Sequence, residues 1–386
     1  MKHCFLFKPA VLLLVAALFT LGACNDPIFY TIAQEVAPIE PRIKGGPTNF
    51  VVFNDVLYVA SGNTIHWYKN GEWDSIGQVP QPRGRINFLA VAGGYLYALC
   101  YLQDNKDTSV IMRLNSGGTD WNPLTNTTGY HVMSIYAPDP NSPYVFIGAE
   151  IDDSFAVLYA DGLSINIIPG ISGAAEFELC GAAFDGIDYY LCTKGGGIYH
   201  VTAGLVPTLI SGTENIKFTG IISLGSSYIA AIDRAGKLYT VDSSGIVDTT
   251  ISIDGDYLST GMLAIWEDPL KPGSRMLLAG RQYSVFLTSS AYTNGYVELE
   301  LDLNGIPISA FREPGISPPS SVVDGDNERY KSTIGRLAIN YMFQAPREVD
   351  PGDSGRPGMR LFASTQNEGV WSYRIRNGIY QWNAED

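Results

Sequence analysis

The chain has 386 residues, 46% hydrophobic and 17% charged, which excludes extended disorder and leaves room for one large domain or two to three ordinary ones. Its 41 glycines and 12% aromatics, 23 tyrosines among them, argue for an all-β protein and against a helical bundle. The net charge of −14 leaves no Lys/Arg excess to gather phosphates, so nucleic acid is not an expected partner.

In chain order, Lys2 and Lys8 come first, and the second precedes Ala10 to Ala23, an uncharged run of 14 residues. A bilayer core of ~30 Å takes ~20 residues to span, so the run suits the apolar region of a signal peptide. It ends in Leu21-Gly22-Ala23-Cys24, which resembles the lipobox of bacterial lipoproteins. The resemblance implies that residues 1–23 are removed and that Cys24 carries the lipid chains, palmitate among them, as a membrane anchor in the cell envelope. A plain secretory signal with a chance cysteine is the alternative. Loss of residues 1–23 removes two lysines and no acid, leaving 23 basic against 39 acidic residues and a charge of −16. An acidic body is repelled by an anionic surface, so the lipid must hold it there. Residues 24–48 contain Pro27, Pro38, Pro41, Pro47 and Gly45-Gly46 and read as an extended tether. Ile28 to Ile32 within it is strand-like.

From residue 49 to 386 one short apolar strand recurs: Leu57–Ala60, Leu96–Leu99, Val145–Gly148, Tyr189–Cys192, Tyr228–Ala231, Met276–Ala279 and Arg360–Ala363. The steps are 39, 49, 44, 39, 48 and 84 residues. Each copy follows an apolar strand and precedes an alternating one, as Thr64–Tyr68 follows Leu57–Ala60. Four short strands every 40–50 residues is the period of a β-propeller blade. The expectation is a seven-bladed β-propeller, with eight blades as the alternative. The 84-residue step is the reason for that alternative. Tyr283–Thr288 and Tyr296–Leu301 read as completing the sixth blade, and 305–332, with Pro307, Pro314, Pro318 and Pro319, reads as a long insertion before the seventh. Its apolar Ile306, Ile308, Phe311 and Ile316 are the expected partner-binding residues, because long loops on a rigid scaffold are where binding resides. Blade topology puts the loops at 138–143, 268–274 and 344–359 on one face and this insertion on the other.

Of five cysteines, Cys4 leaves with the signal and Cys24 takes lipid, leaving Cys100, Cys180 and Cys192. Cys180 and Cys192 flank Asp185-Gly186-Ile187 symmetrically. A hairpin there sets them opposite each other, as a disulfide or equally as two buried thiols. Ile135-Tyr136-Ala137-Pro138-Asp139-Pro140-Asn141-Ser142-Pro143, the looser Ile265 to Pro272 and the turn Ser116 to Trp121 resemble Asp-box (BNR-type) propellers, with Ser116 where that turn carries Asp. That superfamily hosts glycan-cleaving enzymes, assembly factors and receptors, so the resemblance speaks to fold. The anchor and architecture also resemble the lipid-anchored propeller of the outer-membrane-protein assembly machine.

No catalytic set assembles from spacing. Gly352-Asp353-Ser354-Gly355-Arg356-Pro357 is similar to a serine-protease nucleophile motif, but a turn is the expectation, because the nucleophile needs a histidine base and His66, His131 and His200 lie in no matching context. Arg42-Ile43 alone is too little for a sialidase, and among 39 acids the sequence selects no carboxylate pair for glycoside hydrolysis. The histidines are scattered, and Asp324 to Glu328 lacks the spacing of a calcium loop, so no metal and no cofactor are expected. Gly195-Gly196-Gly197 reads as a hairpin turn. Trp67, Trp73, Trp121, Trp371 and Trp382 read as packing between blades rather than as sugar platforms. The expected function is a non-enzymatic, lipid-anchored envelope scaffold that binds another protein. The alternatives are a glycan-binding or glycan-hydrolysing propeller, and a component of an outer-membrane assembly machine.

Overall fold

A computed structural model describes residues 41–386, apart from 79–83, 103–104, 116, 118–119, 125–128, 163, 226, 254–256, 268–272, 274, 284–294, 313–338, 354–355, 377–378 and 386. Cys24, the signal segment, Ile28 to Ile32, Ile316 and Asp324 to Glu328 lie outside the described residues.

The strands form by short hairpins. Two-residue loops with positive φ at both positions join strands whose twist they match, as at Asn54-Asp55 (53° and 57°) and Asp152-Asp153 (49° and 60°). Blade one comprises β1 (Val51–Phe53), β2 (Val56–Ser61), β3 (Thr64–Lys69) and β4 (Glu72–Gln78). Blade two comprises β5 (Gly84–Ala92), β6 (Tyr95–Leu102), β7 (Asn105–Asn115) and β8 (Asn122–Pro123). Blade three comprises β9 (His131–Tyr136), β10 (Val145–Ile151), β11 (Ser154–Ala160) and β12 (Ile165–Gly173). Blade four comprises β13 (Leu179–Phe184), β14 (Tyr189–Thr193), β15 (Gly197–Val201) and β16 (Pro207–Leu209). Blade five comprises β17 (Phe218–Ser223), β18 (Ile229–Asp233), β19 (Leu238–Asp242) and β20 (Gly245–Asp248). Blade six comprises β21 (Tyr257–Glu267), β22 (Arg275–Tyr283), β23 (Tyr296–Leu301) and β24 (Pro307–Arg312). Blade seven begins with β25 (Ile339–Gln344), makes a small hairpin of β26 (Gly352–Asp353) and β27 (Arg356–Pro357), and ends with β28 (Leu361–Thr365), β29 (Val370–Arg376) and β30 (Ile379–Ala384). Within each blade consecutive strands pair antiparallel, from the axis outward.

The second strand of each blade explains the recurring apolar run. In β14 all five residues are buried. Tyr189 and Leu191 point into the core shared with blade three, and Tyr190 and Cys192 into the core shared with blade five. A strand covered on both faces loses the polar half of its alternation. Seven buried clusters result, each straddling two consecutive blades. One of them joins Phe362 and Val370 of blade seven to Leu57, Val59 and Tyr68 of blade one. The ring therefore closes with seven blades, and the eighth-blade alternative falls.

The sixth blade corrects the sequence reading. Its third strand is β23 and its fourth is β24, with Leu301 paired to Pro307 and Leu299 to Ala310. Residues 307–312 of the loop expected over 305–332 are therefore strand, and 313–332 lie outside the described residues. Ile308 (50% exposed) and Phe311 belong to an edge strand of the blade, and Ile306 lies at the turn before it. Proline is tolerated as the first residue of such a strand, where its missing N–H breaks no central ladder.

Candidate functional site

The inner strands enclose a cavity on the propeller axis of about 1180 Å³, lined by residues from all seven blades. Its shape is set by a repeated irregularity. In six inner strands the register with the second strand slips, leaving Asn87, Met133, Cys180, Thr219, Thr260 to Met262 and Asn340 as bulged residues. A bulge bends the strand and re-aims a side chain. Five of these six sites line the cavity, and they bring two amides, two hydroxyls and a thiol to it. The blades approach closely at this level. A Cβ on Gly220 would lie 1.9 Å from the Gly261 carbonyl oxygen, so only glycine fits there.

The two ends of the cavity differ in chemistry. Gly46, Pro47, Gly62, Asn63, Gly84 and Arg85 line the end at which inner strands begin. Arg85 is exposed and is the one charged side chain among the described lining residues. Phe88, Tyr136, Ile221, Leu263 and Tyr341, farther along the inner strands, make the other end aromatic and apolar. Phe88 meets the Tyr136 ring edge-on, with centroids 5.7 Å apart. Burial holds the Tyr136 hydroxyl well above its ordinary value and pushes that of Tyr341 up to about 12, so both remain neutral donors at physiological pH. The Tyr101 hydroxyl donates to the Met133 carbonyl at 3.2 Å and so ties blade two to the bulge of blade three. The arrangement offers neutral hydrogen-bonding groups, one guanidinium and an apolar end, which suits binding and orientation.

The structure brings Cys180 and Cys192 together as free thiols, with their sulfurs 3.4 Å apart. It does not bring the histidines together. His131 faces Glu150 at 3.4 Å in blade three, His200 meets Asp188 at 2.9 Å in blade four, and His66 lies on β3. Among the described residues no group of three or more His, Cys, Asp or Glu side chains could hold a metal ion. The Gly352–Pro357 motif is the β26–β27 hairpin, and Gly195 and Gly196 donate their N–H groups to the Glu176 carbonyl in a turn. Trp73 and Trp382 do pack between blades. The first donates to Glu385 at 2.7 Å and the second to the Tyr296 hydroxyl at 3.1 Å. Sequence reasoning missed the axial cavity. The available signal was glycine beside a polar residue within a strand, as in Cys180-Gly181, Thr219-Gly220 and Thr260-Gly261, which marks a bulge or a close backbone approach.

No protein-family model matches the chain. A relative from Treponema pallidum (strain Nichols), described as an uncharacterized lipoprotein, is 23% identical over 380 residues, covering 93% of this chain and 91% of its own. Among solved structures, the extracellular domain of a one-component system from B. thetaiotaomicron superposes with a TM-score of 0.53 at 12% identity over 86% of this chain, which spans 39% of the length of that one. The WD40 propeller domain of Doa1 gives 0.50 at 13% identity, covering 87% of this chain and 94% of that domain. YCF48 from Cyanidioschyzon merolae gives 0.51 at 12% identity, covering 85% and 95%. At such identities the likeness carries the fold, and the fold is a seven-bladed β-propeller.

Proposed function

We propose that this chain is a lipoprotein of the bacterial cell envelope, anchored through Cys24, whose propeller captures a protein partner, without chemistry, at the Arg85 end of the axial cavity. The anchor is supported by Leu21-Gly22-Ala23-Cys24 and by a relative described as a lipoprotein that matches 93% of the chain. The observation that carries the binding reading is the cavity wall itself. All seven blades contribute to it, and its described residues supply amides, hydroxyls, phenols and Arg85 but no carboxylate. Glycoside hydrolysis needs two carboxylates flanking the bond, so that chemistry has no acid at this site.

The choice of end follows from topology. Fourth strands finish, and the next inner strands start, on the face where Arg85 lies. Arg312, the last residue of β24, and Ile339, the first of β25, both lie on that face. Glycan binding in the cavity is the rival reading, favoured by the phenols of Tyr101, Tyr136 and Tyr341 in its wall. A photo-reactive residue placed at Asn63, on the Arg85 face, should give a discrete cross-link to an envelope protein in cells. The same probe at Ile187, in the β13–β14 hairpin of the opposite face, should give none. Cross-linking from Ile187 alone, or turnover of any glycan by the purified protein, overturns the proposal.

A further inference from the structure

The first hairpin of blade four holds two buried thiols in contact, and one of them, Cys180, contributes to the wall of the axial cavity. Leu179 pairs with Thr193 and Gly181 with Cys192, which leaves Cys180 as the extra residue of the β13 bulge. Free of strict strand alternation, its Sγ reaches back over β14 and lies 3.3 Å from the Cys192 carbonyl and 3.4 Å from Cys192 Sγ. A disulfide bond is about 2.05 Å long, and strands in one hairpin have the backbone separation it requires. Cys180 lines the axial cavity, whereas Cys192 is fully buried behind it. Cys100, the third cysteine of the body, is buried on β6 in the core between blades one and two.

We propose that Cys180 and Cys192 form an oxidisable pair that closes to an intramolecular disulfide, with a small disulfide as oxidant and the axial cavity as its route to Cys180. The thiolate of Cys180 attacks one sulfur of the oxidant, breaking its S–S bond. A mixed disulfide forms and the first thiol leaves, taking the proton that Cys180 gave up. Cys192 Sγ then attacks Cys180 Sγ, and the second thiol leaves with the proton of Cys192. Two thiols are oxidised and one disulfide is reduced to two thiols. Burial and the neighbouring Cys180 hold the Cys192 thiol well above its ordinary value, which makes it the resolving rather than the attacking group. Burial pushes the Cys100 thiol up to about 12, so it serves as an internal bystander.

The pair depends on neither the anchor nor the protein partner, and its test is separate from theirs. The full chain, extracted in detergent and reduced, is exposed to oxidised glutathione at neutral pH under native conditions, then acid-quenched and mapped by peptide mass. The expected product joins the Cys180 and Cys192 peptides, loses two hydrogens, and leaves Cys100 reduced. Cys192→Ser should instead retain one glutathione on Cys180, and Cys180→Ser should take none at position 192. The proposal is overturned if the wild type keeps both thiols, keeps a stable glutathione adduct at Cys180, or joins the two only after denaturant. The wild-type result stands without any variant having to fold.

Discussion

The junction between blades four and five and the junction between blades seven and one bring two blades together by different chemistry. Blades four and five meet through an apolar core that joins Tyr190, Ile198 and Ile210 of blade four to Phe218, Ile229 and Val241 of blade five. The chain itself delivers one blade to the other, since only a short link separates Leu209 from Phe218. Blades seven and one lack such a link. Their aromatic cluster sets Phe362 4.9 Å from Tyr68 and 5.6 Å from Trp73, and behind it lies a buried charged group. Tyr68 donates to Asp350 at 2.9 Å, Trp73 donates to Glu385 at 2.7 Å, and Ser372 donates to the same Glu385 carboxylate. The Arg360 guanidinium lies 3.4 Å from Glu385 and 3.7 Å from Asp350. The segment entering blade one adds main-chain bonds to blade seven, with the Arg42 N–H on the Glu385 carbonyl and the Val370 N–H on the Ile43 carbonyl.

The difference follows from chain entropy. Closing a contact over ~300 residues rather than ~10 costs about 3 kcal/mol more by the logarithmic loop-closure law. Tyr68 and Asp350 are 282 positions apart, and Trp73 and Glu385 312. Apolar burial alone would accept many pairings of the two free ends. A buried arginine between two carboxylates, each also held by a ring N–H or a phenol, accepts one. The main value of the charges is then in specifying the closure, since a buried ion pair gains little over an apolar core yet costs much when half of it is removed.

Glu385→Ala is therefore the largest expected break. It takes an acceptor from Trp73, Ser372 and Arg360 and leaves buried donors and a buried cation short of partners. The expected loss is ~3–5 kcal/mol in denaturant unfolding. Ile229→Val, at the chain-linked junction, should cost only ~0.5–1.5 kcal/mol. Equal losses would show that the closing junction has no special role.

A middle-sized effect is expected where blades five and six are pressed together at the bulges. Gly261 has φ +84°, and a Cβ there would lie 2.3 Å from the Thr219 carbonyl oxygen. Gly261→Ala must both strain the backbone and push blade five aside, at ~1–3 kcal/mol. The melting temperature should fall, though by less than for Glu385→Ala. An unchanged melting temperature would mean that the inner strands shift freely and that the cavity wall is soft.

The parts of this molecule that the sequence reveals are those buried from two sides. The second strand of every blade is an apolar run because both faces are covered, and the runs at Leu57, Leu96, Val145 and Tyr189 fall within β2, β6, β10 and β14. Fourth strands are covered on one edge only and tolerate proline. Pro123, Pro207 and Pro307 all sit in such strands, and the last of them disguised β24 as the start of a loop. The cavity was hidden for a different reason. Its lining runs from Gly46 to Met342, with a few residues per blade, and no local spacing joins Arg85 to Tyr341. Cys180 and Cys192 could be paired from sequence because one hairpin places them. The bulge that sets Cys180 at the cavity wall could not be placed without the register.

The smallest expected effect concerns acid at the closing junction. His66 lies on β3 of blade one, partly buried. Burial lowers its affinity for a proton, and the nearby charge of Arg42 lowers it further. In the unfolded chain the imidazole titrates near its ordinary value of about 6.5. Above that pH it is neutral in both states and the folded form carries no penalty. As the pH falls through about 6.5, the unfolded chain takes the proton first and the folded chain resists it. Stability is therefore complete above that point and declines as the pH falls toward the lower folded value. Protonated His66 would also repel Arg42, whose main-chain N–H holds the Glu385 carbonyl, so the loss should be felt at the junction of blades seven and one. His66→Gln removes this contribution and leaves His131 and His200 in place. The gap in melting temperature between wild type and His66→Gln should shift in favour of the variant between about pH 7.5 and about pH 5.5. A gap that stays constant would show that His66 titrates alike in both states.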